Sequence, residues 1–215
     1  FYQLKQPNNT NGLIDGAGSI GIDVGTAIDV RIEDVVCIGS TSRGIRLLGS
    51  QGAKVSRVGC HNNTTAGILL ASDVNTMIVD SIFSNNGFGV ETATSSNFFV
   101  DRCQANNNTI GFFLTTSPVN WEMANCIAND NTSSGILLSL SSFGTMRNCL
   151  AISNGGRGFD ISGSTASLIT GCVAEQNSLQ GFAVATGSVV IKDCIAQANV
   201  TNGFDMLAGS VALVQ

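Results

Sequence analysis

Apolar residues in this chain fall two apart in short blocks, and each block opens with a glycine. Glycine, then Ile or Phe, then any residue, then an aliphatic occurs at Gly21-Ile22-Asp23-Val24, Gly44-Ile45-Arg46-Leu47, Gly67-Ile68-Leu69-Leu70, Gly87-Phe88-Gly89-Val90 and Gly111-Phe112-Phe113-Leu114. It continues at Gly135-Ile136-Leu137-Leu138, Gly158-Phe159-Asp160-Ile161, Gly181-Phe182-Ala183-Val184 and Gly203-Phe204-Asp205-Met206, nine blocks at intervals of 20 to 24 residues. Apolar positions two apart predict a strand with one buried face. The residue between them varies freely and is predicted to face outward.

Each coil carries two further strands. One ends at Val100, Met123, Met146, Ile169 and Ile191, and another follows about four residues later at Ile38, Ile82, Ile127, Leu150, Val173 and Ile195. A coil of about 23 residues cannot bury its own apolar side chains, whereas stacked coils pair every strand above and below at about 4.8 Å. The pattern therefore predicts an all-β fold, a right-handed parallel β-helix of about nine coils with three short strands per coil. Parallel crossovers are right-handed in about 98% of cases, and the coil spacing implies a rod roughly 40 to 45 Å long.

Residues 1–18 read as an irregular N-terminal segment expected to act as a cap, and residues 19–215 as a single β-helix domain truncated at its C-terminus. There Ser210-Val211-Ala212-Leu213-Val214-Gln215 begins a strand without the cysteine that should follow. Open strand edges recruit further strands, so a larger parent chain or a homo-oligomer is expected through this coil. Phe1-Tyr2-Gln3 is neither an initiator Met nor a signal sequence, which suggests a processed or excised chain.

Seven cysteines change the picture only by their spacing. Cys37, Cys60, Cys103, Cys126, Cys149, Cys172 and Cys194, with Ser81 filling one gap, recur every 21 to 23 residues and are predicted to form one ladder. Side chains in a parallel ladder point the same way with Cβ atoms near 4.8 Å apart, beyond the usual disulfide range of about 3.5–4.5 Å. Buried free thiols are expected, with no metal site and no cofactor, since no Cys or His pair has ligand spacing and His61 is the only histidine. Five residues after each ladder position come Asn86, Asn108, Asn131, Asn154, Asn177 and Asn199. Stacked amides there can satisfy one another and the turn backbone. Asn131-Thr132-Ser133 and Asn199-Val200-Thr201 match glycosylation acceptors, but ladder membership favours a structural role.

Charge narrows the partners. The chain has a net charge of −5, only 12% charged residues and scattered Lys and Arg, which argues against nucleic acid. No apolar run reaches the roughly 18 residues of a membrane helix.

Units such as Asn125-Cys126-Ile127-Ala128-Asn129-Asp130-Asn131 followed by Gly135-Ile136 resemble the right-handed parallel β-helix repeat proteins of the pectate-lyase-like superfamily, from about Ser19 to Gly209. Those repeats commonly read Asn-x-Ile, a later Asn, then Gly-Ile; here Cys replaces the first Asn. The resemblance implies lyases, galacturonases, epimerases, tailspikes or adhesins, so activity has to be argued from a site. A lyase would need clustered acids for calcium with a basic residue, and a galacturonase several Asp with His, Arg and Lys; neither set is evident.

The nearest approach is Asp80, Asp101 and Arg102, in the turn before the cysteine position on adjacent coils. An exposed ion pair is the simpler reading. Gly158-Phe159-Asp160 and Gly203-Phe204-Asp205 resemble the start of an epimerase motif without the His and acid that should follow. His61, where other coils carry Ile or Val, and Trp121 read as structural residues, with sugar stacking the alternative for Trp121. No catalytic, ligand-binding or metal residue is assigned. The expected function is a non-enzymatic, surface-exposed module contacting a glycan or protein, at a cell surface, in a secreted protein or in a virion. A carbohydrate-active enzyme (lyase, hydrolase or epimerase) is the alternative, and an intracellular interaction protein is the third possibility.

Overall fold

The computed structural model describes residues 3–4, 12–207 and 210–214, with side chains described over residues 12–207. The described chain contains no helix, and its strands stack in parallel as three sheets running along a solenoid. The first sheet holds Ile20–Val24, Arg43–Leu48, Ala66–Ala71, Phe88–Ala93, Ile110–Thr115, Ile136–Ser139 and Phe204–Met206. The second holds Arg31–Glu33, Lys54–Ser56, Met77–Val79, Phe99–Asp101, Glu122–Ala124 and Thr145–Arg147. Two long strands, Phe159–Thr170 and Phe182–Lys192, run through both and fuse them at one end. The third sheet has nine strands, from Gly12–Asp15 to Ile195–Gln197. Within the segment expected to be irregular, Gly12–Asp15 pairs with Val35–Ile38, and Gln3–Leu4 pairs with Arg31 and Ile32. The remainder of that expected cap lies outside the described residues, apart from residues 16–18. Ser210–Val214 pairs with Gly187–Ile191.

The core is built from columns. Ile32, Val55, Ile78, Val100, Met123, Met146, Ile169 and Ile191 point inward from the second sheet, all without exposed surface. The first sheet contributes Ile45, Ile68, Val90, Phe112, Ile136, Phe159 and Phe182. Large and small residues alternate across the interior: the coil with Phe83 on its third strand has Val90 on the next, and the following coil has Ala105 and Phe112. At the C-terminal end Phe159, Phe182 and Phe204 stack with ring centroids 4.5 and 5.0 Å apart. Dense packing of this kind makes each coil's volume depend on its neighbours.

The glycine of the repeat is required by backbone approach. A Cβ on Gly111 would lie 2.6 Å from the Gly135 carbonyl and 2.9 Å from the Asn131 amide nitrogen. The glycine column therefore stands against the asparagine column with no room for a side chain between them.

Register corrects the sequence reading in the fourth coil. Val90, Glu91 and Thr92 pair with Ile68, Leu69 and Leu70, so the repeat there is Gly89-Val90-Glu91-Thr92, and Phe88 stands opposite Ala66. Alternation alone does not separate the two readings, because a two-residue slip keeps the period; in the structure Phe88 joins the outward column of Arg43 and Ile110 instead of pointing inward. The same offset breaks the expected cysteine ladder. Cys37 and Cys60 stack under Phe83 and Ala105 on the third sheet. Cys103, Cys126, Cys149, Cys172 and Cys194 form a separate column two residues earlier, above Ser81 and Val58. In the third-strand series, Ile38 belongs to the column of His61 and Ser84, and Val36 is the residue in line with Ile82. All seven cysteines are free thiols, six of them buried. Burial holds the Cys60 thiol well above the ordinary thiol range.

The asparagine ladder is present and one rung longer than expected. Asn63 Oδ1 accepts from the Ser40 backbone, and Asn63 in turn donates to Asn86 Oδ1 through its backbone N–H (2.9 Å) and its amide (3.0 Å). The double contact repeats through Asn108, Asn131, Asn154, Asn177 and Asn199.

Candidate functional site

The turn between the second and third sheets is one residue in the left-handed region, repeated coil after coil. Asp34, Arg57, Asp80, Arg102, Asn125, Asn148 and Asp193 hold φ between 49° and 56° there, and Gly171 holds 61°. Left-handed backbone disfavours residues such as Arg. From Asp34 to Gly171 each N–H is bonded to a carbonyl of the next coil, as in Arg57 to Val79 (3.2 Å) and Arg102 to Ala124 (3.1 Å). The column therefore projects alternating charges along one edge.

Asp80, Asp101 and Arg102 meet on this edge. Arg102 binds Asp80 through Nε and Nη2 at 2.7 and 3.0 Å and also contacts Asp101 through Nη1. Asp101, 6% exposed, accepts a second bond from the Asn125 amide at 2.8 Å. The hydrogen bonds from Arg102 hold the Asp80 carboxyl below the usual carboxylate range. Both carboxylates of the trio are thus ion-pair partners. The column extends down to a second bidentate pair, Arg57 on Asp34 at 2.7 and 2.9 Å, with Glu33 3.8 Å from the same guanidinium. Sequence reasoning missed Asp34 and Arg57, although they precede Asp80 and Arg102 at the same 22- to 23-residue interval.

The other singled-out residues separate. Trp121 is 2% exposed, lies over Gly144 and is unavailable as a sugar platform. Asp160 and Asp205 face outward as expected; Asp160 accepts from Arg157 at 3.0 Å and Asp205 from Gln180 at 2.9 Å. Asn131 is buried in the ladder, and Asn199 is its last rung. His61 stands beside Ile38 and Ser84 in a regularly paired coil. Its Nδ1 is 2.7 Å from Ser84 Oγ, and burial lowers the imidazole pKa. Among the described residues no three His, Cys, Asp or Glu side chains converge as a metal site requires.

The outer face of the first sheet carries a feature that the misread register concealed. Phe88 and Phe113, on adjacent coils and half-buried, stand with ring centroids 5.1 Å apart and planes tilted by 48°. Ile110 and Leu137 are half-buried next to them in the same outward columns. Below this apolar step Arg43 reaches over the intervening coil, where Ala66 and Leu69 are buried, to Glu91 at 3.4 Å. Above it stand Arg157 with Asp160 and Gln180 with Asp205.

A coil stack with this register and these ladders defines a class, the parallel β-solenoids. The chain belongs to the right-handed β-helix family, whose "Right handed beta helix region" model matches residues 8–143 and 116–215. No curated protein matches it in sequence. Among solved structures, a mutant of the periplasmic alginate epimerase AlgG superposes with a TM-score of 0.79 at 14% identity, covering 94% of this chain and 58% of that one. The mannuronan C-5 epimerase AlgE4 A-module of Azotobacter vinelandii gives 0.74 at 17% identity, covering 87% and 62%. The enzymatically active domain of bacteriophage CBA120 tailspike protein 2 gives 0.61 at 10% identity, covering 95% and 42%. This chain spans less than two thirds of each of these structures, and the likeness is one of fold.

Proposed function

We propose that this chain is a non-enzymatic β-helix module that holds a glycan against the outer face of the first sheet. The observation that carries the reading is the Phe88–Phe113 step set between the Arg43–Glu91 and Arg157–Asp160 pairs. The aromatic step offers apolar surface to the C–H face of a sugar ring, and the flanking pairs offer donors and acceptors to its hydroxyls. Solved relatives in fold whose names describe alginate epimerases and a tailspike support a carbohydrate over a protein partner. The ion-paired state of Asp80, Asp101 and Asp160 supports binding without turnover.

The test is binding of the purified chain to a panel of neutral and acidic oligosaccharides, with product analysis on the same samples. Intact ligand that binds wild type, and binds Phe113→Ala about tenfold or more weakly, is the expected result, a loss of about 1.4 kcal/mol. Shortened or epimerised products would establish the competing reading, a carbohydrate-active enzyme, for which the epimerase neighbours speak. Equal binding by wild type and Phe113→Ala would place the glycan elsewhere.

A further inference from the structure

The third sheet, away from the Phe88–Phe113 face, contains a pit made by one missing side chain. Its outward column runs Val36, Gly59, Ile82, Gln104, Ile127, so Gly59 leaves a gap between two aliphatic neighbours. The gap opens into a cavity of about 270 Å³ lined by Val36, Arg57, Gly59, His61, Asp80 and Ile82, together with Val58. The His61 ring folds across its floor: a Cβ on Gly59 would lie only 2.7 Å from Nε2. The bond between Nδ1 and Ser84 Oγ fixes the ring and leaves Nε2 as the polar atom over the pit.

The rim is charged but already paired. Arg57 is held by Asp34, and Asp80 by Arg102, each through two hydrogen bonds. Around the rim Glu33, Asp34, Asp80 and Asp101 stand against Lys54, Arg57 and Arg102, one negative charge in excess, which a carboxylate ligand would only increase. A hydroxyl fits better, because it donates to a carboxylate edge and accepts from a guanidinium or an imidazole N–H without changing the charge. Ile82, 43% exposed, and Val36 supply apolar walls. The volume falls below the roughly 300–1,000 Å³ of pockets that enclose drug-sized ligands, which suits a single sugar ring.

We propose that the Gly59 pit binds one neutral pyranose, with Ile82 and Val36 against its C–H face and His61 Nε2, Arg57 and Asp80 on its hydroxyls. This site is independent of the first-sheet reading and shares no residue with it.

His61 is the only histidine, so its imidazole Cε1–H proton gives one unambiguous NMR signal at the floor of the pit. The experiment titrates glucose, galactose, mannose and N-acetylglucosamine, with glucuronate as the acidic probe, into the full chain while following that signal. A saturable shift with at least one neutral sugar is expected, with glucuronate about tenfold weaker, the equivalent of about 1.4 kcal/mol. Gly59→Val fills the pit and pushes the His61 ring aside, so its loss of binding is expected in calorimetry with the same sugar rather than read from the displaced imidazole signal. Ile82→Ser, at an exposed position that leaves the core intact, should weaken binding severalfold, and Phe113→Ala should leave it unchanged. The proposal is overturned if no neutral sugar shifts the signal saturably, if glucuronate binds as well, or if Gly59→Val or Ile82→Ser binds like wild type.

Discussion

Asn131→Ala tests whether the amide column holds the solenoid together. Asn131 is 1% exposed and makes four hydrogen bonds. Its Oδ1 accepts from the Asn108 backbone at 2.9 Å and from the Asn108 amide at 3.2 Å, while its Nδ2 donates to the Ala105 carbonyl at 3.0 Å and to Asn154 Oδ1 at 2.9 Å. Truncation strands the buried Asn108 N–H, a cost of about 1–3 kcal/mol, and deletes two amide–amide bonds at roughly 0.5–1.5 kcal/mol each. The Asn108 amide keeps the Phe83 carbonyl, and Asn154 Oδ1 keeps the backbone N–H of residue 131, so neither adds a further orphan. With the lost bond to the Ala105 carbonyl counted at the same roughly 0.5–1.5 kcal/mol, the sum is about 2.5–7.5 kcal/mol, a large share of the 5–15 kcal/mol typical of a domain. Asn199→Ala is the control: this last rung is half-buried, so water can replace what it loses, and about 1 kcal/mol is expected. Urea unfolding followed by circular dichroism measures both. If Asn131→Ala costs less than Asn199→Ala, or less than about 1 kcal/mol, the amides only decorate a stack held by its apolar columns.

Three further outcomes follow from buried groups. Asp73 lies without exposed surface in a column of serines, accepts from the Ser50 and Ala71 backbones at 2.7 and 2.8 Å, and has its pKa raised from 3.8 to about 6 by desolvation. A carboxyl whose folded pKa is raised costs nothing below the unfolded value, and stability falls as pH climbs from about 4 to about 6 and is level above; two units correspond to about 3 kcal/mol. Asp73→Ser, matching its column neighbours, should remove that component from the pH profile of urea midpoints, and superimposable profiles would refute it. Ellman's reagent should find at most the half-buried Cys194 among seven thiols in the native chain and all of them in urea; several fast-reacting native thiols would contradict the packing. Gly144→Ala would put a Cβ 1.8 Å from the Trp121 ring, so a loss of about 3 kcal/mol and a red-shifted emission of the single tryptophan are expected; wild-type stability and emission would refute the packing of that ring.

The fold was legible because its signal repeats. Glycine before an inward aliphatic marks a site where the next coil's carbonyl leaves no room for Cβ, so the spacing reports the coil directly. The Asn ladder was legible for the same reason, except at Asn63, which lies three residues after Cys60 whereas the other rungs lie five after the Cys or Ser of their own coil. That exception and the misplaced Gly87 block share one cause. Cys60 belongs to the column of Phe83, so taking Cys60 and Ser81 as equivalent shifts the first coils against the rest by two residues. Alternation is blind to that shift, because a slip of two residues keeps the period. Only the pairing of Phe88 with Ala66 and Ile110 resolves it.

The candidate sites were illegible for a related reason. In a solenoid, a surface residue acquires its neighbours from the column and not from the chain, so a site is visible only once the columns are aligned. Phe88 and Phe113 are 25 residues apart, outside any local motif, and become an aromatic pair only when Glu91 is set against Phe113. Gly59 is unremarkable in sequence and becomes a pit only between Val36 and Ile82. Asp73 is one acid among fifteen Asp and Glu until its column proves to be serine. In each case the informative residue is the one that departs from its column where stacking offers no reason to depart. By contrast Asp80 and Arg102, the most conspicuous charges in the sequence reading, obey theirs: they continue the alternation that Asp34 and Arg57 begin, and pairwise ion pairing accounts for them. Residues that satisfy the ladder are explained by the ladder, so Gly59, His61, Phe88 and Phe113 mark where the two proposed sites lie, and Arg57 and Asp80 enter the pit only because their column places them at its rim.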